Sequence, residues 1–74
     1  MKEKIITLIE ETLMLDNGSI TEETLIDDIE EWDSLAHVMI IGELEAKLNI
    51  SIPLDDAIEI TSVRELLKKA GIEE

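Results

Sequence analysis

Between Ser34 and Leu48 the chain carries two apolar stripes at helical spacing, and this segment constrains the fold more than any other. His37, Ile40, Ile41, Leu44 and Leu48 make one stripe. Leu35, Met39, Gly42 and Ala46 make a second, nearly opposite one. Glu43 and Lys47 separate them on one side, Glu45 and Asn49 on the other. An ordinary surface helix has one apolar face. A helix with two is either buried all round, or packs on the core with one face and on a partner with the other. Full burial is hard in 74 residues, so the partner arrangement is favoured, with Leu35, Met39, Gly42 and Ala46 as its contacts.

The remaining segments supply that core. Ile5, Ile6, Leu8, Ile9 and Leu13 form one broad stripe over a helix from about Lys2 to Met14, with Glu3, Thr7, Glu10 and Glu11 outside it. Asp16-Asn17-Gly18-Ser19 reads as a turn, with Gly18 able to take positive φ and close the helix. Ile20 to Asp33 is a long connection anchored by Leu25, Ile26 and Ile29, with a helical turn expected around Glu22 to Leu25. Asp33 is placed to N-cap the second helix, which sets Ser34 at its first position. Pro53 ends that helix region, and Asp55 to Glu59 suits a short helical turn. Ser62 with Glu65 three residues on forms a capping box, ahead of the Val63, Leu66, Leu67, Ala70 stripe and a stop at Gly71. Ile50-Ser51-Ile52 alternates but is too short to pair into a sheet. The expectation is an all-α single domain over residues 1–74: a small antiparallel four-helix bundle of three main helices and one short one.

Composition removes whole classes of function. The chain has no cysteine, so disulfides and thiolate chemistry are excluded, and Trp32 is its only aromatic residue. A net charge of −13 argues against nucleic acid and against anionic membrane surfaces, and favours basic protein partners and a monomer. Hydrophobic residues at 45%, in periodic blocks, argue against disorder. Met1-Lys2-Glu3-Lys4 opens straight into an amphipathic segment rather than a signal peptide, and no apolar run reaches membrane-span length, so a cytoplasmic protein is expected. Asp27-Asp28, Glu30-Glu31 and Asp55-Asp56 lack calcium-loop spacing and read as solvated surface, so no metal site is expected. One histidine, His37, with no second histidine or cysteine, builds neither a zinc site nor a catalytic triad. It reads as a buried or boundary residue. No catalytic residue is assigned, and the chain is not expected to be an enzyme. Trp32 either packs over the core or stays exposed for a partner.

Seven of the 19 acids, Glu22, Glu23, Asp27, Asp28, Glu30, Glu31 and Asp33, lie in the connection just ahead of Ser34, with no base among them. A hydroxyl at the positive end of a helix dipole favours an attached anion, although Asp and Ser are also ordinary capping residues. Asp33-Ser34-Leu35 in this setting resembles the attachment motif of acyl and peptidyl carrier proteins, the phosphopantetheine-binding family. Leu25-Ile26-Asp27-Asp28-Ile29 precedes it. Leu44-Glu45, Leu48-Asn49-Ile50-Ser51-Ile52-Pro53 and Ile60-Thr61-Ser62-Val63-Arg64-Glu65-Leu66 follow, so the resemblance covers essentially the whole chain.

The resemblance implies an acyl-carrier-type bundle with 4′-phosphopantetheine, donated by coenzyme A, on the Ser34 hydroxyl. Asp33 and Leu35 would flank the attachment. Trp32, Leu35, Met39, Gly42, Glu45 and Ala46 would meet partners. The partners implied are a phosphopantetheinyl transferase, a ligase that loads an acyl or aminoacyl group as a thioester, and downstream transferases. Carriers of fatty-acid synthesis typically place acids after the triplet and along that helix. Here those places hold Ala36, Met39 and Ala46, and only Glu45 keeps its acid. Glu30-Glu31-Trp32 also replaces their shorter, glycine-containing lead-in. Those departures point to a dedicated biosynthetic or cell-surface pathway, of the kind served by peptide, polyketide or D-alanyl carriers. A housekeeping fatty-acid carrier is the alternative, and an acidic helical adaptor whose Asp33-Ser34 is only a cap is the alternative from another class.

Overall fold

The computed structural model describes residues 2–72. Its helices are α1 (Lys2–Leu13), α2 (Ser34–Leu48), α3 (Leu54–Ala57) and α4 (Val63–Lys69), with a 3₁₀ turn at Ile26–Asp28. Three main helices and one short one surround an aliphatic core, as the periodicity requires. Ile5, Ile9, Ile40, Leu44, Val63 and Leu66 are fully buried at its centre. Burying each such side chain contributes about 1.5–3 kcal/mol. α1 packs on α2, and α3 on α4.

α1 ends one residue before Met14, and Gly18 is not what ends it. Met14 itself takes the left-handed conformation, at φ 61°. The Leu15 N–H then reaches the Glu10 carbonyl at 2.8 Å and the Met14 N–H the Glu11 carbonyl at 3.2 Å. These are the two bonds that satisfy the last carbonyls of a helix closed by a left-handed residue. Gly18 does adopt positive φ, at 91°, but inside the following turn.

Glu10 departs from the polar position its spacing suggests. It is buried, and its carboxylate accepts the Gly18 N–H at 2.9 Å and the Ile20 N–H at 3.1 Å. A carboxylate leaves water only when donors replace it. Glu10 therefore stitches the start of the connection onto α1.

The helical turn of the connection also falls later than its residues suggest. Thr21 and Thr24 form a tight turn through the Thr21 N–H and Thr24 Oγ1, at 2.9 Å, and the 3₁₀ turn follows at Ile26–Asp28. Between them Leu25 makes an isolated antiparallel bridge to Ser62. The Ile26 N–H donates to the Thr61 carbonyl and the Val63 N–H to the Thr24 carbonyl, both at 3.0 Å. This pairing fastens the connection to the entrance of α4.

α2 begins at Ser34 and ends at Leu48, the expected bounds, with Asn49 left-handed at φ 58° after it. Its two stripes separate as the wheel requires. Ile40 and Leu44 are buried, with His37, Ile41 and Leu48 half-buried beside them. Leu35, Met39, Gly42 and Ala46 are exposed. α3 starts just after Pro53, whose carbonyl accepts the Asp56 and Ala57 N–H groups, so the short helix lies slightly earlier than Asp55 to Glu59. α4 is capped by Ser62, which accepts the Glu65 N–H at 3.2 Å. The Glu65 carboxylate reaches back one residue further than a standard capping box, to the N–H and hydroxyl of Thr61 at 2.7 and 2.6 Å. Gly71, at φ 87°, closes the helix.

Candidate functional site

The site lies where the acidic connection enters α2. Asp33 is extended, at φ −92° and ψ −172°, and its side chain accepts the Ala36 N–H at 2.8 Å. Its carbonyl accepts the His37 N–H at 2.9 Å. Ser34 follows at the first helical position with its side chain in solvent. With the Ala36 donor taken by Asp33, the N–H groups of Ser34 and Leu35 have no carbonyl within the helix to reach. No acid occupies the first turn of α2 itself, so the carboxylate that meets the positive end of its dipole is that of the Asp33 cap.

Beside Ser34 runs a groove of about 450 Å³, lined by Ile26 and Asp27 from the 3₁₀ turn, Trp32 and Asp33 from the lead-in, and His37 and Val38 from α2. Ile58 and Ile60, which follow α3, complete its lining. The groove is thus mainly apolar, with one hydroxyl and two carboxylates among its lining residues.

The acids of the connection divide into two sets. Glu22 pairs with Lys2 of α1 at 2.7 Å, and that hydrogen bond holds its carboxyl below the ordinary glutamate range. Glu23 pairs with Arg64 of α4 at 3.2 Å. Asp27, Asp28, Glu30, Glu31 and Asp33 are all exposed. The negative charge nearest Ser34 therefore faces outward, where it attracts a basic surface.

Trp32 settles one open choice. It is only 4% exposed, so it is core and not a partner contact. The physical reason is that its indole finds both an apolar bed and an acceptor: Nε1–H donates to His37 Nδ1 at 3.0 Å, with the rings 6.0 Å apart. His37 is the boundary residue expected of it. Its other nitrogen, Nε2, lies 2.7 Å from the Ala57 carbonyl.

The remaining expected contacts, Leu35, Met39, Gly42, Glu45 and Ala46, are all exposed on one side of α2. The structure adds three residues that the wheel did not single out. Val38 is 56% exposed, Leu54 64% and Ile58 72%. Val38 could have been found, since it stands three residues from Leu35 and four from Gly42, both neighbouring positions on a helix. Leu54 and Ile58 carry no such periodic signal, because α3 is barely one turn long.

The family model described as the phosphopantetheine attachment site matches residues 3–69. Among solved structures, the solution NMR structure of a holo acyl carrier protein from Geobacter metallireducens superposes with a TM-score of 0.82. The two chains are 26% identical, over 95% of this chain and 80% of that one. Among the described residues, no helix is long and apolar enough to cross a membrane.

Proposed function

Given that the chain belongs to the phosphopantetheine-attachment family and is a carrier protein similar to acyl carrier proteins, we propose that Ser34 bears its prosthetic group and that it serves a dedicated acyl or aminoacyl transfer pathway. Carriers of this family are not enzymes. They are modified by a phosphopantetheinyl transferase and then visit the enzymes of a biosynthetic route. The prosthetic group, 4′-phosphopantetheine, supplies a thiol on which cargo is held as a thioester. Residues 3–69 act as one carrier domain.

The observation that carries the assignment is the exposed Ser34 hydroxyl at the entrance of α2. The residues around it fit a phosphodiester. The first-turn N–H groups and the helix dipole favour an anion there. Asp33 caps the entrance by taking the Ala36 N–H, and leaves the Ser34 and Leu35 N–H groups without an intrahelical acceptor. Ile26, Val38, Ile58 and Ile60 offer an apolar wall alongside. Nothing in this arrangement makes or breaks a bond, so the chemistry belongs to the partner enzymes, and tethering raises the local concentration of cargo at each.

The choice of pathway class rests on the outer face of α2. Leu35, Val38 and Met39 present an apolar surface, with Glu45 as its acid further along, while the carboxylates gather in the connection. A partner that docks by a continuous basic patch along α2 finds little to pair with. A partner with an apolar cleft and a basic rim near residues 27–33 fits both features.

The test is intact-protein mass spectrometry after incubation with coenzyme A, magnesium and a broad-specificity phosphopantetheinyl transferase, with Ser34→Ala alongside. The expected result is a gain of one phosphopantetheine group in the wild type only. No gain from folded, unmodified protein would leave an acidic helical adaptor with Ser34 as a helix-start residue. Loading of the modified protein by an adenylating amino-acid ligase, compared with a fatty-acid-synthesis acyltransferase, then separates the dedicated carrier from the housekeeping one.

A further inference from the structure

We propose that His37 is a positioning residue for the attachment serine: it couples the lead-in to Ser34 with the end of α3 through the two nitrogens of one imidazole ring. The inference rests on the carrier reading of Ser34.

The donor chemistry assigns each nitrogen a role. An indole N–H only donates, so His37 Nδ1, 3.0 Å from Trp32 Nε1, must accept. A carbonyl only accepts, so the proton of the neutral ring lies on Nε2 and donates to the Ala57 carbonyl at 2.7 Å. The two partners therefore select a single tautomer, and each fixes the ring for the other. Neither nitrogen is left to exchange protons with a substrate.

Both ends of this bridge need holding. Trp32 lies two residues ahead of Ser34, at the end of a segment with seven acids and no base. Like charges at Asp27, Asp28, Glu30, Glu31 and Asp33 repel one another and favour an expanded loop. The buried indole is the anchor that opposes this expansion nearest the serine. At the other end, α3 has four residues, and Pro53 provides no side-chain cap. Lys69 reaches Asp56 and Glu59 only at 3.6 and 3.7 Å, over partly exposed side chains, where such pairs contribute little. His37 supplies a short hydrogen bond from α2 to the last residue of α3. Ile58, the next residue, is groove wall. The imidazole thus fixes the end of α3, and the groove residue Ile58 after it, against the entrance of α2. An enzyme that must place Ser34 in its own active site meets one geometry instead of several.

Two conservative variants separate the two bonds. His37→Asn keeps an acceptor near the Nδ1 position and loses the reach to Ala57. His37→Gln keeps a donor near the Nε2 position and loses the acceptor for Trp32. Because Trp32 is the only tryptophan, one indole N–H resonance reports the first bond. Amide exchange at Ile58 and Ile60 reports the second. The expected result is an upfield indole shift in the Gln variant alone and faster exchange in the Asn variant alone. In both, the transferase KM for the apo-protein rises by about two- to tenfold with kcat nearly unchanged. An indole resonance unmoved in the Gln variant, or a KM unchanged in both folded variants, would overturn the proposal. Failure of the carrier reading shows separately, as no loading of the wild type at all.

Discussion

The two faces of α2 are both apolar, and they do different things. Ile40 and Leu44 are fully buried, whereas Leu35 is 70% exposed and Met39 51%. One helix thus shows the same chemistry spent once on the fold and once on a surface left open. Isolated exposed apolar residues are ordinary, but Leu35, Val38, Met39, Gly42 and Ala46 share one side of a single helix, with Leu54 and Ile58 exposed on and just after α3. That side adjoins Ser34, the proposed attachment serine. The chain covers the first face and leaves the second open, and that open face is the surface on which the proposed partners would dock.

The sharpest way to break this comparison is to truncate one residue on each face. Leu44→Ala leaves a cavity at the centre of the core and should cost about 2–5 kcal/mol. Met39→Ala should stay within about 0.5 kcal/mol. Thermal or urea unfolding of the two variants checks both, and equal losses would mean that the outer face also belongs to the fold. The next effect in size tests how the buried side continues through α1. Glu10→Ala orphans the N–H groups of Gly18 and Ile20 at the start of the connection and should cost about 1–3 kcal/mol in the same measurement. Asp33→Ala acts where the two faces meet, at the shared helix start. It removes the acceptor for Ala36 and should cost about 1 kcal/mol, together with slower modification of Ser34 by the transferase.

The elements that follow from periodicity and capping were legible before any coordinates. Both faces of α2, the Asp33 cap and the Ser62 cap are local in sequence, and the carrier motif rests on them. What was not legible depends on contacts between distant residues. Glu10 falls outside the apolar stripe of α1, and only the returning loop with its free N–H groups makes burial favourable. Leu25 and Ser62 lie far apart in the chain, and their bridge has no local signature. Met14 closes α1 against the ordinary preference for glycine, at a position 90% exposed, where the side chain meets water rather than a neighbour. Trp32 is balanced between core and surface in the sequence, because tryptophan is enriched at interaction hot spots as well as suited to a core. Its pairing with His37 becomes visible only when the entrance of α2 turns the indole onto the ring.

The smallest effect concerns a carboxylate outside both faces, and it sharpens the contrast by supplying a helix start that the fold alone explains. Glu65 is held below the ordinary glutamate value of 4.5, first by the Thr61 hydroxyl and then by the Thr61 N–H, with nearby Lys69 and Lys68 assisting. The folded state thus binds the ionised form more favourably than the unfolded chain does. Its stabilising contribution is present above the unfolded value and is lost as pH falls through the lower folded value. Glu65→Gln should therefore melt below the wild type at neutral pH, with the gap closing as pH falls below 4.5. Melting curves of both proteins across that range are the measurement, and the difference between them removes the general relief of charge repulsion that acidification brings to this acidic chain. A gap that stays constant with pH would mean that Glu65 acts by packing alone. At α4 the N–H groups of Val63 and Glu65 and the Glu65 carboxylate all find partners within the chain. At α2 the only acid is the Asp33 cap, which takes the Ala36 N–H, and the serine beside it faces solvent, which is the difference expected if one helix start serves only the fold and the other receives a phosphate.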